Sequence, residues 1–84
     1  MHRYEFTSVA YRQIKKLSPE IQRMIIKKLD YFVSSQKPLS FATTLTDFSL
    51  GRYRFRIGDW RVVFDVIEEV IIIHTIGHRR EIYK

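Results

Sequence analysis

The chain has 84 residues, enough for one domain and too few for an enzyme with a cofactor domain of its own. Hydrophobic residues make up 45% of it and only three glycines and two prolines interrupt them, so it is not disordered. The lack of cysteine excludes disulfides and thiolate metal sites. The net charge of +6 favours a polyanionic partner such as RNA, DNA or an acidic protein, although the same charge also keeps a small domain soluble.

The N-terminal half predicts one strand followed by two helices. Residues 2–7 alternate between ring-bearing and other side chains, as in a short strand. Ser8 is expected to cap a helix that runs to about Leu17. Ser18 followed by Pro19 is a strong start for a second helix, which is expected to pair with the first as an antiparallel hairpin.

The C-terminal half predicts a three-stranded antiparallel meander. Residues 36–50 are expected to form a long connection whose apolar side chains pack on the domain. From Arg52 the hydrophobic period becomes two, and Gly58-Asp59 is typical of a two-residue hairpin turn. Residues 65–69 lead through a second turn into a strand over 70–76. The predicted fold is therefore α+β, with a small sheet packed on a layer of helices.

A two-residue turn fixes the register of the central hairpin, and opposed residues share a face of the sheet. One face is then wholly apolar or aromatic and is expected to pack on the helices; it carries Tyr53, Phe55, Ile57, Trp60, Val62 and Phe64. The other face carries four arginines, which we call the arginine face: Arg52, Arg54, Arg56 and Arg61.

The arginine face places Arg56 directly opposite Arg61, although like charges in a cross-strand pair destabilise a sheet. Asp65 can offset Arg52, whereas this register assigns no acidic residue to the other arginines. A solvated face with arginine stems covering apolar surface would explain one such residue. Several such arginines clustered on neighbouring strands favour a binding site for an anion. Phosphate is the anion expected, because its oxygens match the donors of the guanidinium fork. Removing the repelling charge of Arg61 is expected to leave stability nearly unchanged.

The C-terminal tail, residues 76–84, adds further polar groups: His78, Arg79, Arg80 and Tyr83. It can equally be a polar tail in which Ile82 and Tyr83 pack back on the sheet. His74 lies among isoleucines and is expected to be a core histidine with its hydrogen bonds satisfied. Three histidines without cysteine or an HExxH spacing give no support for a metal or other cofactor.

Two stretches, YRFRIGDWRVVF (residues 53–64) and IGHRREIY (residues 76–83), together resemble the RelE branch of the RelE/ParE toxin superfamily, and the resemblance covers the whole chain. It implies that residues 1–84 form a single RelE-like toxin domain of a type II toxin–antitoxin system. Such toxins are ribosome-dependent endoribonucleases that cut mRNA in the decoding site and inhibit translation. No apolar run approaches the ~20 residues of a membrane span, and the first residues lack the apolar stretch of a signal peptide, so a cytoplasmic protein without a membrane partner is expected.

The resemblance implies that the catalytic residues of the family correspond to Arg54, Arg56, Arg61, Arg79 and Tyr83. The flanking Arg52, His78 and Arg80 are expected to contact RNA. The sequence departs from some members, which have lysine at the first two of these positions and a longer spacing between Arg79 and Tyr83.

Cleavage of RNA by its own 2′-hydroxyl needs a base, cations that stabilise the phosphorane, and an acid for the leaving 5′-oxygen. Arginine supplies charge and no proton transfer, because it is never deprotonated in proteins. Tyr83 is the preferred proton-transfer group, since neighbouring cations would favour its phenolate, and His78 is the second choice. A third possibility is that strain imposed on the ribosome and charge stabilisation do most of the work.

Two other functions stay open. Relatives of the ParE type poison DNA gyrase by binding it and do not retain this basic and tyrosine set. A non-catalytic basic RNA-binding module is disfavoured, because the hairpin aromatics are predicted to face the core and leave no stacking platform. In the toxin interpretation the partners are the ribosome with its mRNA and a cognate antitoxin, RelB-like, acidic and partly disordered.

Overall fold

The computed structural model describes residues 2–46 and 50–82. In chain order the elements are β1 (Arg3–Phe6), α1 (Ser8–Lys15), α2 (Pro19–Ser34), a 3₁₀ helix (Pro38–Phe41), β2 (Ala42–Thr44), β3 (Tyr53–Ile57), β4 (Trp60–Ile67) and β5 (Val70–His78). None of the helices in these ranges is long and apolar enough to cross a membrane.

The strands form one five-stranded sheet in the order β1-β5-β4-β3-β2. β1 runs parallel to β5, and the other neighbours are antiparallel. The α+β prediction is confirmed: α1 and α2 connect the N-terminal strand to a meander of β3, β4 and β5. The meander strands are longer than predicted, since β4 continues to Ile67 and β5 to His78.

β2 is an addition to the predicted fold, because the sequence assigns its residues to a connection. It pairs with β3 at the edge of the sheet, with Ala42 opposite Phe55. The preceding 3₁₀ helix stacks Phe41 on Phe32 with ring centroids 4.9 Å apart. A strand of three residues is too short to give a periodicity signal in the sequence. β2 is therefore set by its backbone pairing with β3 and by the aromatic contact of the 3₁₀ helix before it.

The predicted register of the central hairpin is confirmed, including Ile57 opposite Trp60 and Arg56 opposite Arg61. The aromatic face packs on the helices as expected. It contributes Phe55, Ile57, Val62 and Phe64 to the core, with Tyr53 and Trp60 packed against it. Alternation therefore leaves the arginine face on the side of the sheet away from the core.

Helix starts follow their capping residues. Ser18 caps α2 as predicted, with its hydroxyl accepting from the amide of Ile21 at 3.3 Å. The cap of α1 is Thr7, not Ser8: its Oγ1 accepts from the amide of Ala10 at 3.2 Å. The same hydroxyl donates to the carbonyl of His74 at 3.2 Å, so the start of α1 is attached to β5.

α1 also satisfies the edge of β5 beyond the end of β1, which pairs only as far as Ile73. Gln13 accepts from the amide of Ile76 at 2.7 Å, and its Nε2 donates to Thr75 Oγ1 at 3.0 Å. At the other end of β1, the hydroxyl of Tyr4 donates to Asp30 at 2.9 Å. Burial, together with this carboxylate, raises the pKa of Tyr4 to about 12.

Candidate functional site

The turn between β3 and β4 meets the end of β5, and we call this region, formed by Gly58, Asp59 and their partners, the turn corner. The amide of Arg79 donates to the carbonyl of Asp59 at 2.8 Å. Its guanidinium Nε lies 3.5 Å from Asp59 Oδ1, forming a partly exposed ion pair. Backbone and side chain together thus fix Arg79 beside the turn.

Arg61 is part of the framework of this corner. Only 7% of its surface is exposed, and its Nη1 donates to the carbonyl of Gly58 at 2.8 Å and to that of Trp60 at 3.0 Å. Its cross-strand neighbour on β5 is Gly77, which has no side chain to displace it. Arg61 therefore has hydrogen-bond partners that the register alone does not show, because its donors satisfy turn carbonyls, while Arg56 opposite it is exposed.

The chain turns back after β5. The amides of Glu81 and Ile82 both donate to the carbonyl of His78, at 2.9 and 3.0 Å. A Cβ built on Gly77 would lie 3.5 Å from Cβ of Ile82, so Ile82 packs against the residue opposite Arg61. The expectation that Ile82 packs back on the sheet is confirmed. Tyr83 lies outside the described residues.

His78 belongs to the core side of the sheet. It pairs with Trp60, and the two rings meet edge to face at a centroid distance of 5.4 Å and an angle of 85°. Its Nδ1 accepts from the amide of Arg80 at 3.2 Å. His78 thus points to the opposite side from Arg56, which weakens its candidacy as an acid or base for a phosphate on the arginine face.

The predicted site residues do not form one cluster. Arg61 and Arg79 contact the turn corner directly, Arg56 lies opposite Arg61, and Arg80 follows Arg79 in the chain. Arg54 lies in the next row, opposite Val63, and is half-buried. Arg52 lies at the far end of β3, about 13 Å from Arg56 at the rise of an extended strand. Its amide donates to Asp65 Oδ1 at 2.9 Å, which supports the expected association of these two residues.

A second group of polar side chains, which sequence reasoning missed, lies at that far end. Asp65 Oδ2 is 2.9 Å from His74 Nε2, and both side chains are about one-third exposed, at 31% and 37%. His74 has its hydrogen bond, as expected, but the prediction of a core position is wrong. A β-bulge in β5 leaves His74 as the extra residue between the partners of Val63 and Phe64.

Around this pair lies an open depression of about 500 Å³, lined by Thr7, Val9, Leu50, Gly51, Asp65, His74 and Thr75. The burial pattern of β5 reflects the bulge. Ile73 and Ile76 are both buried although they are three positions apart, an odd spacing that a regular alternation does not allow.

Gly51 forms the floor of this depression, and Gly51→Ala is expected to lower the free energy of unfolding by about 2–4 kcal/mol. Its φ of +149° is rarely adopted by other residues, and a Cβ there would lie 2.9 Å from Cγ1 of the fully buried Val63. Chemical denaturation measures the loss. Gly58→Ala is the matched control: its φ is +58° but the nearest atom to an added Cβ is 4.0 Å away, so a smaller loss is expected. Equal losses would contradict the close approach.

Comparison with known proteins gives one family and two structural neighbours. The family of the ParE toxin of the type II toxin–antitoxin system, parDE, matches residues 4–83. A chain of the RelBE2 toxin–antitoxin complex from Mycobacterium tuberculosis is 24% identical, with a TM-score of 0.78 over 93% of this chain and 98% of that one. A chain of the intact RelBE complex from E. coli is 20% identical, with a TM-score of 0.62 over 93% and 96%.

No curated protein sequence matches this chain. The two structural likenesses show that the fold is RelE-like. The family match extends over nearly the whole chain, from β1 to the tail after β5. The chain belongs to the ParE toxin family of type II toxin–antitoxin systems, within the RelE/ParE superfamily.

Proposed function

We propose that this toxin is a ribosome-dependent endoribonuclease that cuts mRNA in the decoding site and so inhibits translation in the cytoplasm. The observation that carries the proposal is the cross-strand pair of Arg56 and Arg61 on the face away from the core, with Arg54 beside it and Arg79 fixed at the same corner. Arg61 is held by turn carbonyls and Arg56 opposite it is exposed, so the positive charge on this face is fixed in position and accessible to an anion.

Arg56 and Arg80 are exposed and Arg79 is half-exposed, so these side chains are the ones that meet a phosphate directly. Arg61 stabilises the turn beside these side chains through its hydrogen bonds to the turn carbonyls. The preorganised charge stabilises the phosphorane, on which negative charge accumulates during attack by the 2′-hydroxyl. Tyr83 remains the proposed acid–base group of the tail.

The proposed partners are the ribosome with its mRNA and a cognate antitoxin. Both structural neighbours are described as toxin–antitoxin complexes, which supports an antitoxin partner for this chain as well. A chain of net charge +6 with exposed Arg56, Arg79 and Arg80 attracts an acidic, partly disordered protein. We propose that such an antitoxin holds the toxin inactive.

The second candidate function is poisoning of DNA gyrase, and the family match favours it, since the matching family is that of ParE. It requires a protein-binding surface and gives no role to an arginine cluster aimed at phosphate. The presence of Arg54, Arg56 and Arg61 on one face of the sheet, with Arg79 directly after its strand β5, therefore favours the ribonuclease.

Cleavage is expected to require ribosomes. The turn corner offers charge but few proton-transfer groups, so the RNA must arrive already oriented for in-line attack. The measurement compares the cleavage rate of one mRNA free in solution and bound in the decoding site, at equal protein concentration. Equal rates on both would contradict the ribosome requirement. A gyrase reaction run in parallel tests the alternative through linearised DNA.

A further inference from the structure

The outer side of α2 carries four side chains to which the arginine site gives no role. Met24, Lys27, Lys28 and Tyr31 follow one another at helical spacings of three and four residues, and we call them the α2 stripe. Together they line a depression of about 410 Å³. At the rise of an α-helix the stripe is about 10 Å long, or about two helical turns.

One end of the α2 stripe is an exposed aromatic cluster. Tyr31 is 58% exposed and Phe41 39%, and their ring centroids lie 5.6 Å apart. Phe41 stacks in turn on Phe32 of the core, so the core fixes the position of the cluster. Aromatic side chains and methionine are enriched where proteins bind one another, and an exposed apolar patch with a polar rim marks such a surface.

The two lysines give the α2 stripe a positive rim. Nζ of Lys28 lies 5.9 Å from the centroid of the Tyr31 ring, and within the described residues neither lysine forms an ion pair. Asp30, the next acidic residue along the helix, accepts instead from the hydroxyl of Tyr4. An occupant that complements the stripe therefore has apolar side chains at its centre and carboxylates at its margins.

That chemistry fits an amphipathic helix better than it fits RNA. Such a helix presents apolar side chains at the same spacings of three and four residues, with charged side chains on either side of them. A phosphate backbone would meet the lysines, but it would leave the apolar surface of Met24 and Phe41 without a partner.

The other end of the α2 stripe adjoins the turn corner. A Cβ built on Gly58 would lie 4.0 Å from Cε of Met24. Asp59, the next residue in the chain, holds Arg79 through its carbonyl and its carboxylate. A helix bound along the stripe therefore ends beside the turn corner, and acidic residues that follow it come close to Arg79.

We propose that the α2 stripe is a docking surface for an acidic amphipathic helix of the antitoxin; the proposal rests on the antitoxin partner of the proposed function. The helix covers Met24 and Tyr31 with apolar side chains, and its carboxylates pair with Lys27 and Lys28. The chain that continues past the turn corner brings further carboxylates to the exposed arginines and keeps phosphate away from them. The antitoxin is thus anchored on the helical layer and neutralises the arginine site from there.

The test measures the affinity of the toxin for the antitoxin encoded beside it, by titration calorimetry. Tyr31→Ala is expected to weaken binding by at least about thirtyfold, the loss that defines an interface hot spot. Tyr11→Ala is the matched control, because Tyr11 is 54% exposed on α1 with Nζ of Lys15 6.0 Å from its ring centroid. It is expected to bind within about twofold of the wild type, as a residue outside a hot spot does.

A double charge reversal, Lys27→Glu with Lys28→Glu, is the second variant, since both side chains are exposed and neither belongs to the core. It is expected to repel the acidic helix and to lower the affinity by a similar factor. Ribosome binding and mRNA cleavage by the free variants are expected to match those of the wild type.

The outcomes separate this inference from the proposed function. Antitoxin binding that is unchanged in Tyr31→Ala and in the double reversal, or equally weak in Tyr11→Ala, overturns the inference alone. Lost ribosome binding with antitoxin binding intact makes the α2 stripe an RNA surface and overturns it as well. Wild-type protein that binds no antitoxin overturns the proposed partner and this inference with it. Wild-type protein that binds the antitoxin through the stripe but leaves mRNA intact overturns only the proposed ribonuclease.

Discussion

Arg61→Ala is expected to abolish toxicity and also to lower the melting temperature. Two turn carbonyls, those of Gly58 and Trp60, lose their donor in a site where Arg61 is 7% exposed. Such a loss costs about 1–3 kcal/mol, and each kcal/mol lowers the melting temperature of a domain of this size by about 4–8 °C. Because Arg61 holds the turn beside which Arg79 is fixed, its loss also displaces the phosphate-binding arginines, and such a displacement slows the chemical step by about 10²-fold.

Arg56→Ala is the matched control, because it removes the other member of the same cross-strand pair from an exposed position. It is expected to lose activity while its melting temperature stays the same or rises, since one of two facing like charges is gone. Calorimetry and a growth assay on both variants separate the two effects. Arg61→Ala with an unchanged melting temperature would contradict the framework role, and a fully toxic, folded Arg61→Ala would contradict the site.

Tyr83→Phe is expected to slow single-turnover cleavage by about 10²–10⁴-fold, more than it weakens ribosome binding. Phenylalanine keeps the ring and removes only the hydroxyl. The turn after β5 supports this role for the tail, since it returns the chain at Ile82 to Gly77, the residue opposite Arg61.

His78→Ala is the comparison variant for Tyr83→Phe. The contact of His78 with Trp60 on the core side predicts a modest effect on cleavage. A severe effect of His78→Ala beside a silent Tyr83→Phe would transfer the acid–base role to His78. If both are silent while Arg61→Ala is severe, charge stabilisation carries the reaction and the assignment of Tyr83 is wrong.

The central hairpin could be predicted down to its residue pairs because two local signals agree. The alternation of the sequence places the aromatic face against the core, and Gly58-Asp59 sets the position of the turn. A shift of the strand register by one residue would expose the residues that form the core. The edge strand β2 and the bulge at His74 could not be predicted in this way. Both depend on partners distant in sequence: Phe55 for Ala42, and Val63 and Phe64 for the residues around His74.

The residues of the candidate site could be named from the sequence, but their environments could not. A one-dimensional pattern shows which face a side chain is on; it does not show that Arg61 turns onto the carbonyls beneath it or that Arg79 pairs with Asp59. The same limit hid the Asp65–His74 pair, because the isoleucines around His74 indicate a core position and do not reveal the bulge beside Val63 and Phe64. Tertiary contacts determine which arginines form hydrogen bonds within the fold and which face the solvent.

Primer extension on an mRNA translated in a reconstituted system, with wild-type protein added, tests the central claim most directly. The account predicts breaks at the codon in the decoding site, absent without ribosomes and lost when a 2′-deoxynucleotide stands on the 5′ side of the cut. Full-length mRNA in that reaction, beside linearised DNA in a gyrase reaction with the same protein, would contradict it.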